Sequence, residues 1–384
     1  MQYTQAMKEF VFVLGTHPDL SLSELKAVLG DIPVERHDGL AFVKSEKELD
    51  AESLMQQLGG TIKIIELIGD FDEEVMVDWL FDQIDTDSKF HFGFSEYPTE
   101  PGIATKKDWK TLQNMGLSLK RVLKTQDISA RFVQSKEVVL SSVIVHKERL
   151  LKNGVEIVLF KGQKNIRFGK TLAVQPFQDF SKRDFGRPGR DSKSGMLPPK
   201  LARMMVNISQ PTKESVILDP FCGSGTVLQE ALLLGYNSVI GSDKSKKAVE
   251  DTLKNLQWIN KSQVSVYVCA AEQLITTGIL ERNSVDRIVF EGYLGPPAPK
   301  ASHIMSAQKE LQQLYTRIFP VLAQLLTHDG HIVAALPFWK TNEKEFHLNI
   351  NGIVQSSGMK LSAKPLLYRR PQSVVGREII QLKK

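Results

Sequence analysis

Apolar positions along the chain change period several times, and each change predicts an element. "KEFVFVLG" (Lys8–Gly15) is apolar enough for a buried strand, and "DLSLSELKAVLG" behind it repeats at helical spacing. Ser21 and Glu24 are spaced as a capping box, and Gly30 stops that helix. "GLAFVKS" reads as a second strand, "ESLMQQLGG" as a helix closed by glycine, and "TIKIIELIG" as another strand. Together they predict a small α+β unit over residues 1–75. Further on, "KFHFGFSEY" alternates with period two, and "WKTLQNMGLSLKRVLKT" is an amphipathic helix whose stripe Leu112, Met115, Leu119 faces a core. "ARFVQS" and "VVLSSVIVHKERLLKNG" add two strands and a helix, and "VEIVLFKG" a last strand. The second α+β unit is predicted over residues 76–174.

The pattern then breaks. The Gly, Pro, Arg and Asp content of Gln175–Pro199 predicts an extended connector, followed by a helix from Lys200. From Ser215 strands alternate with helices: "SVILDPF", "NSVIGSD", "VSVYVCA", "VDRIVFEGY" and "GHIVAALPF". That rhythm predicts a mostly parallel α/β sheet with crossover helices over residues 200–384. There is no internal repeat and no low-complexity segment.

Composition narrows the class. The 384 residues are 42% hydrophobic and 24% charged, as in an ordinary globular protein. No apolar run reaches the roughly 18–20 residues that cross a bilayer, and the N-terminus lacks a secretory pattern. Cys222 and Cys269 are too few for a disulfide framework or a Cys-rich metal site, so an intracellular, cytoplasmic location away from the membrane is expected. Charge adds more. Residues 1–80 hold 6 Lys/Arg against 16 Asp/Glu, whereas residues 101–215 hold 23 against 9. A basic block beside an acidic one predicts a polyanion on the middle of the chain. Lys120, Arg121, Lys124 and Arg131, with Arg183, Arg187 and Lys200 around the connector, are the candidate RNA contacts. Phe177 and Phe180 interleave with Lys182, Arg183, Arg187 and Arg190, a pattern that suits either base stacking or packing of the connector.

The candidate chemistry lies in "VILDPFCGSGTVLQEALLLGYNSVIGSDKS", Val216 to Ser245. A phosphate-cradling P-loop would carry a lysine after its last glycine, and none is present. A dinucleotide fingerprint would carry a third glycine at position 228, which is Leu. Asp219, at the predicted strand end, opposes both, because a carboxylate repels a bound phosphate. It suits instead a ligand with positive charge and no phosphate, such as S-adenosylmethionine. Gly223 and Gly225 would admit the methionine part, with Phe221 and Thr226 in the same loop. Asp243, 24 residues after Asp219, ends the next strand and can accept from a ribose diol. NAD carries such a diol too, so Asp219 is the discriminating residue.

"DPFCGSGTVLQEALLLG" resembles the cofactor motif of the THUMP-containing RNA methyltransferases, especially the tRNA guanine-N2 methyltransferases. "RDFGRPGRDSKSGMLPPKLARMMVNIS" resembles that family's junction into its catalytic domain, and "YRRPQSVVGREI" its C-terminal strand segment. The resemblance implies an α/β fold: a Rossmann-like class I methyltransferase domain preceded by α+β ferredoxin-like and THUMP-like domains. It also implies S-adenosyl-L-methionine as cofactor and tRNA as partner. Some members work with a small zinc-bearing activating subunit.

Two positions depart from the family. Amino methyltransferases of this kind place D/N-P-P-Y/F at the fourth strand end, where oxygens accept the amine hydrogens and the ring stacks on the flipped base. Here, 48 residues beyond Asp243, the chain reads "FEGYLGPP". Glu291 takes the acid's place, Gly292 and Tyr293 those of the prolines, and Leu294 that of the aromatic. Glu291, Gly292 and Tyr293 are the candidate catalytic residues. In "VCAAEQL", Ala270 stands where the family has an acid, and Glu272 two positions on is the candidate adenine contact. His328 and His331 read as turn histidines rather than metal ligands. Cys222 has no adjacent base that would make it a nucleophile. Two other functions compete: a DNA adenine-N6 methyltransferase, and an RNA-binding protein with a relic pocket.

Overall fold

The computed structural model describes residues 7–84, 88–100, 108–190, 196–296 and 299–384. Connector residues 191–195 and Pro297 of the "GYLGPP" stretch lie outside them. The chain forms two compact units, Met1–Pro18 with Leu29–Phe177, and Asp19–Val28 with Gln178–Lys384.

The first unit is built on strands β1 (Lys8–Leu14), β2 (Val34–His37), β3 (Leu40–Ser45), β4 (Thr61–Asp70), β5 (Phe90–Pro98), β6 (Ala130–Phe132), β7 (Gly154–Lys161) and β8 (Ile166–Val174). Its helices are α2 (Ala51–Gln57), α3 (Glu73–Phe81), α4 (Asp108–Thr125) and α5 (Ser142–Lys147); α1 (Pro18–Leu29) contributes its body, Asp19–Val28, to the second unit. All eight strands form one sheet in the order β2-β3-β1-β4-β8-β7-β5-β6. The antiparallel pairing of β4 with β8, from Lys63 opposite Val174 to Asp70 opposite Arg167, joins the first 75 residues to the next hundred. Periodicity does not predict β8, because Gly169 and Lys170 interrupt its alternation. The glycine is needed there: a Cβ at Gly169 would lie 2.3 Å from the Glu66 carbonyl oxygen.

Buried charge crosses this join. Lys63 and Glu156 are both buried and paired, and Lys63 Nζ donates to the Leu140 carbonyl at 2.7 Å. Thr171 Oγ1 donates to Glu156 Oε2 at 2.6 Å, so the partners come from β4, β7 and β8. Satisfied in this way, the pair avoids the desolvation cost of an isolated buried charge. The expected strand at Val138–Leu140 is irregular chain instead. The Val138 carbonyl accepts from Glu96 N and Leu140 N donates to Ser95 Oγ, each at 2.8 Å, before Ser141 caps α5. Leu112 and Leu119 of α4 are buried, and Gly116 lets the helix close on Phe132. Lys120, Arg121 and Lys124 remain exposed on it.

The second unit contains α6 (Phe177–Phe185, from Gln178 onward), α7 (Pro199–Ile208), β9 (Ile217–Asp219), α8 (Thr226–Leu233), β10 (Val239–Asp243), α9 (Lys246–Trp258), β11 (Ser265–Val268) and β12 (Val285–Glu291). It continues with α10 (Ala301–Leu325), β13 (Leu326–Lys340), β14 (Glu345–His347), α11 (Ile350–Ser357), β15 (Lys360–Leu361), β16 (Leu366–Tyr368) and β17 (Val375–Lys383). The sheet order is β11-β10-β9-β12-β13-β17-β15. Strands β11, β10, β9, β12 and β13 run parallel, and β17 returns antiparallel to β13. Side chains alternate between two cores. Ile288, Phe290 and Ala334 pack with Tyr315 and Phe319 of α10, while Val289, Val333 and Ala335 pack with α7 and α8.

The connector, expected to be extended, contains α6. Phe180 is buried beneath the guanidinium groups of Arg183 and Arg203, 4.7 and 5.1 Å from its ring centre. That aromatic anchor gives the polar segment a reason to coil. His331 enters β13 beside Arg287 and Lys383, and burial plus those two cations lower its pKa to about 4. The folded protein therefore binds fewer protons than the unfolded chain between about pH 6.5 and 4, so stability falls as pH falls through that window. His331→Gln is expected to flatten the dependence, as followed by thermal melts from pH 7 to 4.

Candidate functional site

In a parallel sheet of this kind a crevice opens at the carboxyl ends of the strands where the strand order reverses. Here that place is β9, with β10 on one side and β12 on the other. Each of these three apolar strands ends in an acid: Asp219, Asp243 and Glu291.

Asp219 is 2% exposed, and its Oδ1 accepts from Phe221 N at 3.0 Å. Burial raises its pKa well above the usual carboxylate range. The Phe221 N–H works against that, and the charges of Asp243 and Glu291 add to it. Asp243 shapes the loop: Oδ2 accepts from Gly223 N at 3.1 Å and Oδ1 from Ser245 N at 2.8 Å. Gly223 and Gly225 have φ of +52° and +80°, a left-handed backbone that glycine adopts without strain. Phe221 stacks on Phe290 with ring centres 5.2 Å apart, tying the loop to β12.

Two side chains of α9 brace the same loop. Thr252 Oγ1 donates to the Gly223 carbonyl, and Asn255 Nδ2 to the Ser224 carbonyl, both at 2.8 Å. Asn255 also bonds both backbone groups of Gly189, at 2.7 and 2.8 Å, so the junction motif and the glycine loop share one bracket. Sequence reasoning missed both residues. Their spacing, three apart in "EDTLKNL", does not distinguish a brace from a solvated helix face.

At the end of β12, Glu291 pairs with Arg377 of β17, which donates through Nε. Burial raises the Glu291 pKa, against the pull of that guanidinium. Gly292 N donates to the Ala335 carbonyl at 3.0 Å. The buried hydroxyl of Tyr315 donates to the Tyr293 carbonyl at 2.6 Å, while the Tyr293 ring is 55% exposed. Tyr315 and Arg377 were also missed. Nothing but a helical tyrosine and one arginine in "VVGREI" marks them in the sequence.

The other candidates fall as follows. Glu272 is exposed on a 3-10 turn, Ala271–Gln273. Thr226 is buried and its hydroxyl accepts from Arg187 Nη1 at 2.6 Å. Arg187 is only 2% exposed, and Arg183 binds Glu230 Oε1 at 2.6 Å, with Arg203 on the other oxygen of that acid. Arg183 thus ties α6 to α8 through Glu230, whereas Arg187, just past α6, bonds Thr226 through Nη1 and keeps Nε and Nη2 buried without a hydrogen-bond partner among the described residues. Phe180 likewise packs rather than stacks on bases. Lys200 is exposed above the Phe180 ring. In the first unit Arg131 is exposed and pairs with Glu148 at 3.2 Å. The Cys222 thiol is buried, which pushes its pKa up and keeps it protonated. Among the described residues no group of three or more His, Cys, Asp or Glu is arranged to hold a metal ion.

Residues 187–357 match the family described as RMKL-like, methyltransferase domain, and residues 105–254 match a DNA methylase family. The tRNA (guanine(10)-N2)-dimethyltransferase of Methanothermobacter thermautotrophicus is 34% identical over 145 residues, 38% of this chain and 40% of that protein. A "Probable tRNA (guanine(10)-N2)-dimethyltransferase" of Methanothermococcus thermolithotrophicus is 30% identical over 136 residues, 35% of this chain and 78% of that protein. The chain spans 38% to 50% of the length of the first curated relatives that it matches. The crystal structure of TrmN from Thermus thermophilus aligns over 99% of this chain and 100% of its own, with TM-score 0.57 and 16% identity, and so shares the fold. A glycine loop between acidic strand ends, a methyltransferase sheet order and these sequence matches agree: the chain belongs to the tRNA (guanine(10)-N2)-dimethyltransferase family.

Proposed function

We propose that this protein is an S-adenosyl-L-methionine-dependent methyltransferase acting on the exocyclic N2 amine of a guanosine in tRNA. The observation that carries the reading is the convergence of Asp219, Asp243 and Glu291 at three neighbouring strand ends. Burial raises the pKa of Asp219, and repulsion by Asp243 and Glu291 adds to it. A ligand with an ammonium and a sulfonium relieves that repulsion, and one with a pyrophosphate aggravates it. Asp219 would take the ammonium, the backbone at Gly223 and Gly225 the methionine part, and Asp243 the ribose diol. Phe221, Thr226 and Glu272 complete the proposed cofactor set.

The bound donor would supply an electrophilic methyl group on sulfur. The chain's own part is to bring an amine in line with it. The Glu291 carboxylate and the Gly292 carbonyl would accept the amine hydrogens, turning the nitrogen lone pair toward the methyl group, with the exposed Tyr293 ring against the base. Glu291, its pKa raised by burial, is suited to take the proton that the methylated nitrogen releases.

Residues 1–75 are proposed as a ferredoxin-like domain and 76–174 as a THUMP-like RNA-binding domain, with Lys120, Arg121, Lys124 and Arg131 on phosphates. Among the described residues no helix is long and apolar enough to cross a membrane, and a cytoplasmic site of action is part of the proposal. Exchanging Lys120, Arg121 and Lys124 for Ala is expected to weaken tRNA binding and lower its salt slope by about 2–3. Filter binding from 50 to 300 mM salt checks this, and an unchanged slope would move the RNA surface elsewhere.

The match of residues 105–254 to a DNA methylase family favours one competitor, adenine-N6 methylation of DNA. Incubation with labelled donor and either tRNA transcripts or duplex DNA, followed by nucleoside mass spectrometry, separates them. N2-methylated guanosine from tRNA is the expected product. N6-methyladenine from DNA would replace the proposal, and donor binding without any product would indicate a relic pocket. Repeating the tRNA assay with a small zinc-bearing subunit tests the remaining partner.

A further inference from the structure

Glu291 does not hold its own position. It ends β12, where it lies opposite Ala335 of β13, and two residues further along β13 Pro337 lies opposite Arg377 of β17. These positions share one face of the sheet, so the arginine reaches across an intervening strand whose residue beside the acid is only an alanine. Both side chains are nearly enclosed, with exposures of 15% for Glu291 and 11% for Arg377. The guanidinium is bracketed on its other side by the ring of Tyr368, 5.8 Å from the ring centre and opposite Arg377 in the β16–β17 ladder.

We infer that Arg377 is the positioning residue for Glu291, fixing Oε1 through Nε and presenting Oε2 to the substrate amine in ionised form. The inference rests on the reading of Glu291 as the amine acceptor. A glutamate has one more rotatable bond than an aspartate, and a single Nε contact from a planar, always charged group removes that freedom. The other titratable groups that feel the Glu291 charge are Asp219 from β9 and Tyr315 from α10. Neither supplies positive charge. Without Arg377, therefore, the acid loses both its orientation and its counter-charge, and its pKa rises further.

The test compares Arg377→Met and Arg377→Lys with the full-length wild-type protein. Arg377→Met is expected to lower kcat about 100-fold at neutral pH and to move the acid limb of the pH–rate profile up by about one unit or more. Donor affinity by calorimetry should stay within about two-fold, since no donor group is assigned to Arg377. Arg377→Lys should restore the acid limb while recovering only part of kcat, because charge returns without the fixed planar fork. Thermal melts give a reading independent of catalysis. An acid with a raised folded-state pKa costs stability as pH rises, so Arg377→Met should lose melting temperature between pH 5 and 8, and Arg377→Met with Glu291→Gln should not. A Met variant with wild-type kcat and acid limb would overturn the inference. So would equal losses in the Lys and Met variants with no shift of the limb, the mark of a merely structural arginine. If the wild-type protein transfers no methyl group, the catalytic reading fails, while the melts still report whether the pair exists as described.

Discussion

Asp219→Ala is expected to abolish measurable donor binding, weakening it by about a thousandfold or more, and to leave tRNA binding unchanged. The carboxylate is 2% exposed and ends the central strand of the crevice. Two charges about 4 Å apart attract by roughly 4 kcal/mol in the partly screened interior, which is about three decades of affinity. Asp219→Asn separates charge from hydrogen bonding, since an amide oxygen still accepts from Phe221 N. The Asn variant should fall nearly as far as Ala. The raised pKa adds a pH signature. When Asp219 is protonated, a cationic ligand must expel that proton to bind, so affinity climbs with pH until the folded-state pKa is passed and then levels off. In the Asn variant the rise should vanish. Calorimetry from pH 5 to 9 reads both effects; wild-type affinity in Asn would reduce Asp219 to a loop-forming acceptor.

The second large effect is expected at the turn after β12. A Cβ at Gly292 would lie 2.3 Å from the Tyr315 hydroxyl and 2.8 Å from two of its ring carbons. That ring cannot retreat: Tyr315 is fully buried and packs edge-on against Phe319, 6.3 Å between centres. Gly292→Ala must therefore displace the turn, and with it Glu291 and the Tyr293 carbonyl. Misplacement by about an ångström costs roughly 100-fold in rate, so kcat should fall by that order while donor affinity changes little. Adding Tyr315→Phe removes the hydroxyl but not the ring contacts, and should recover only part of the loss. Single-turnover rates with saturating tRNA measure this. A Gly292→Ala protein of normal rate would show that the turn has no catalytic part.

The two glycines of the Asp219–Thr226 loop and the acids at the neighbouring strand ends were legible because each belongs to a local pattern. An apolar run ends in Asp, a Gly-rich turn follows, and a helix begins, and the sheet built from such units is the one observed. What stayed hidden depends on pairing between distant segments. β8 looks irregular until its partner β4 is known, because Gly169 answers the Glu66 carbonyl and not its own neighbours. Arg183 looks like a free cation until Glu230, 47 residues away, is found paired with it. Arg377 and Glu291 are 86 residues apart, and only the antiparallel return of β17 brings them together. The E-G-Y-L turn is a related case. Its glycine reads as a loss of rigid prolines, yet in the fold the Gly292–Ala335 and Tyr315–Tyr293 hydrogen bonds hold the turn instead.

The most direct test of the account is a competition titration of the wild-type protein with S-adenosylmethionine, S-adenosylhomocysteine, NAD and ATP. Saturable binding of the two sulfur nucleosides at micromolar or tighter affinity, with neither NAD nor ATP displacing them, is the predicted result. Displacement by either pyrophosphate-bearing nucleotide at comparable concentration would mean that the acids at the strand ends do not select the ligand's charge.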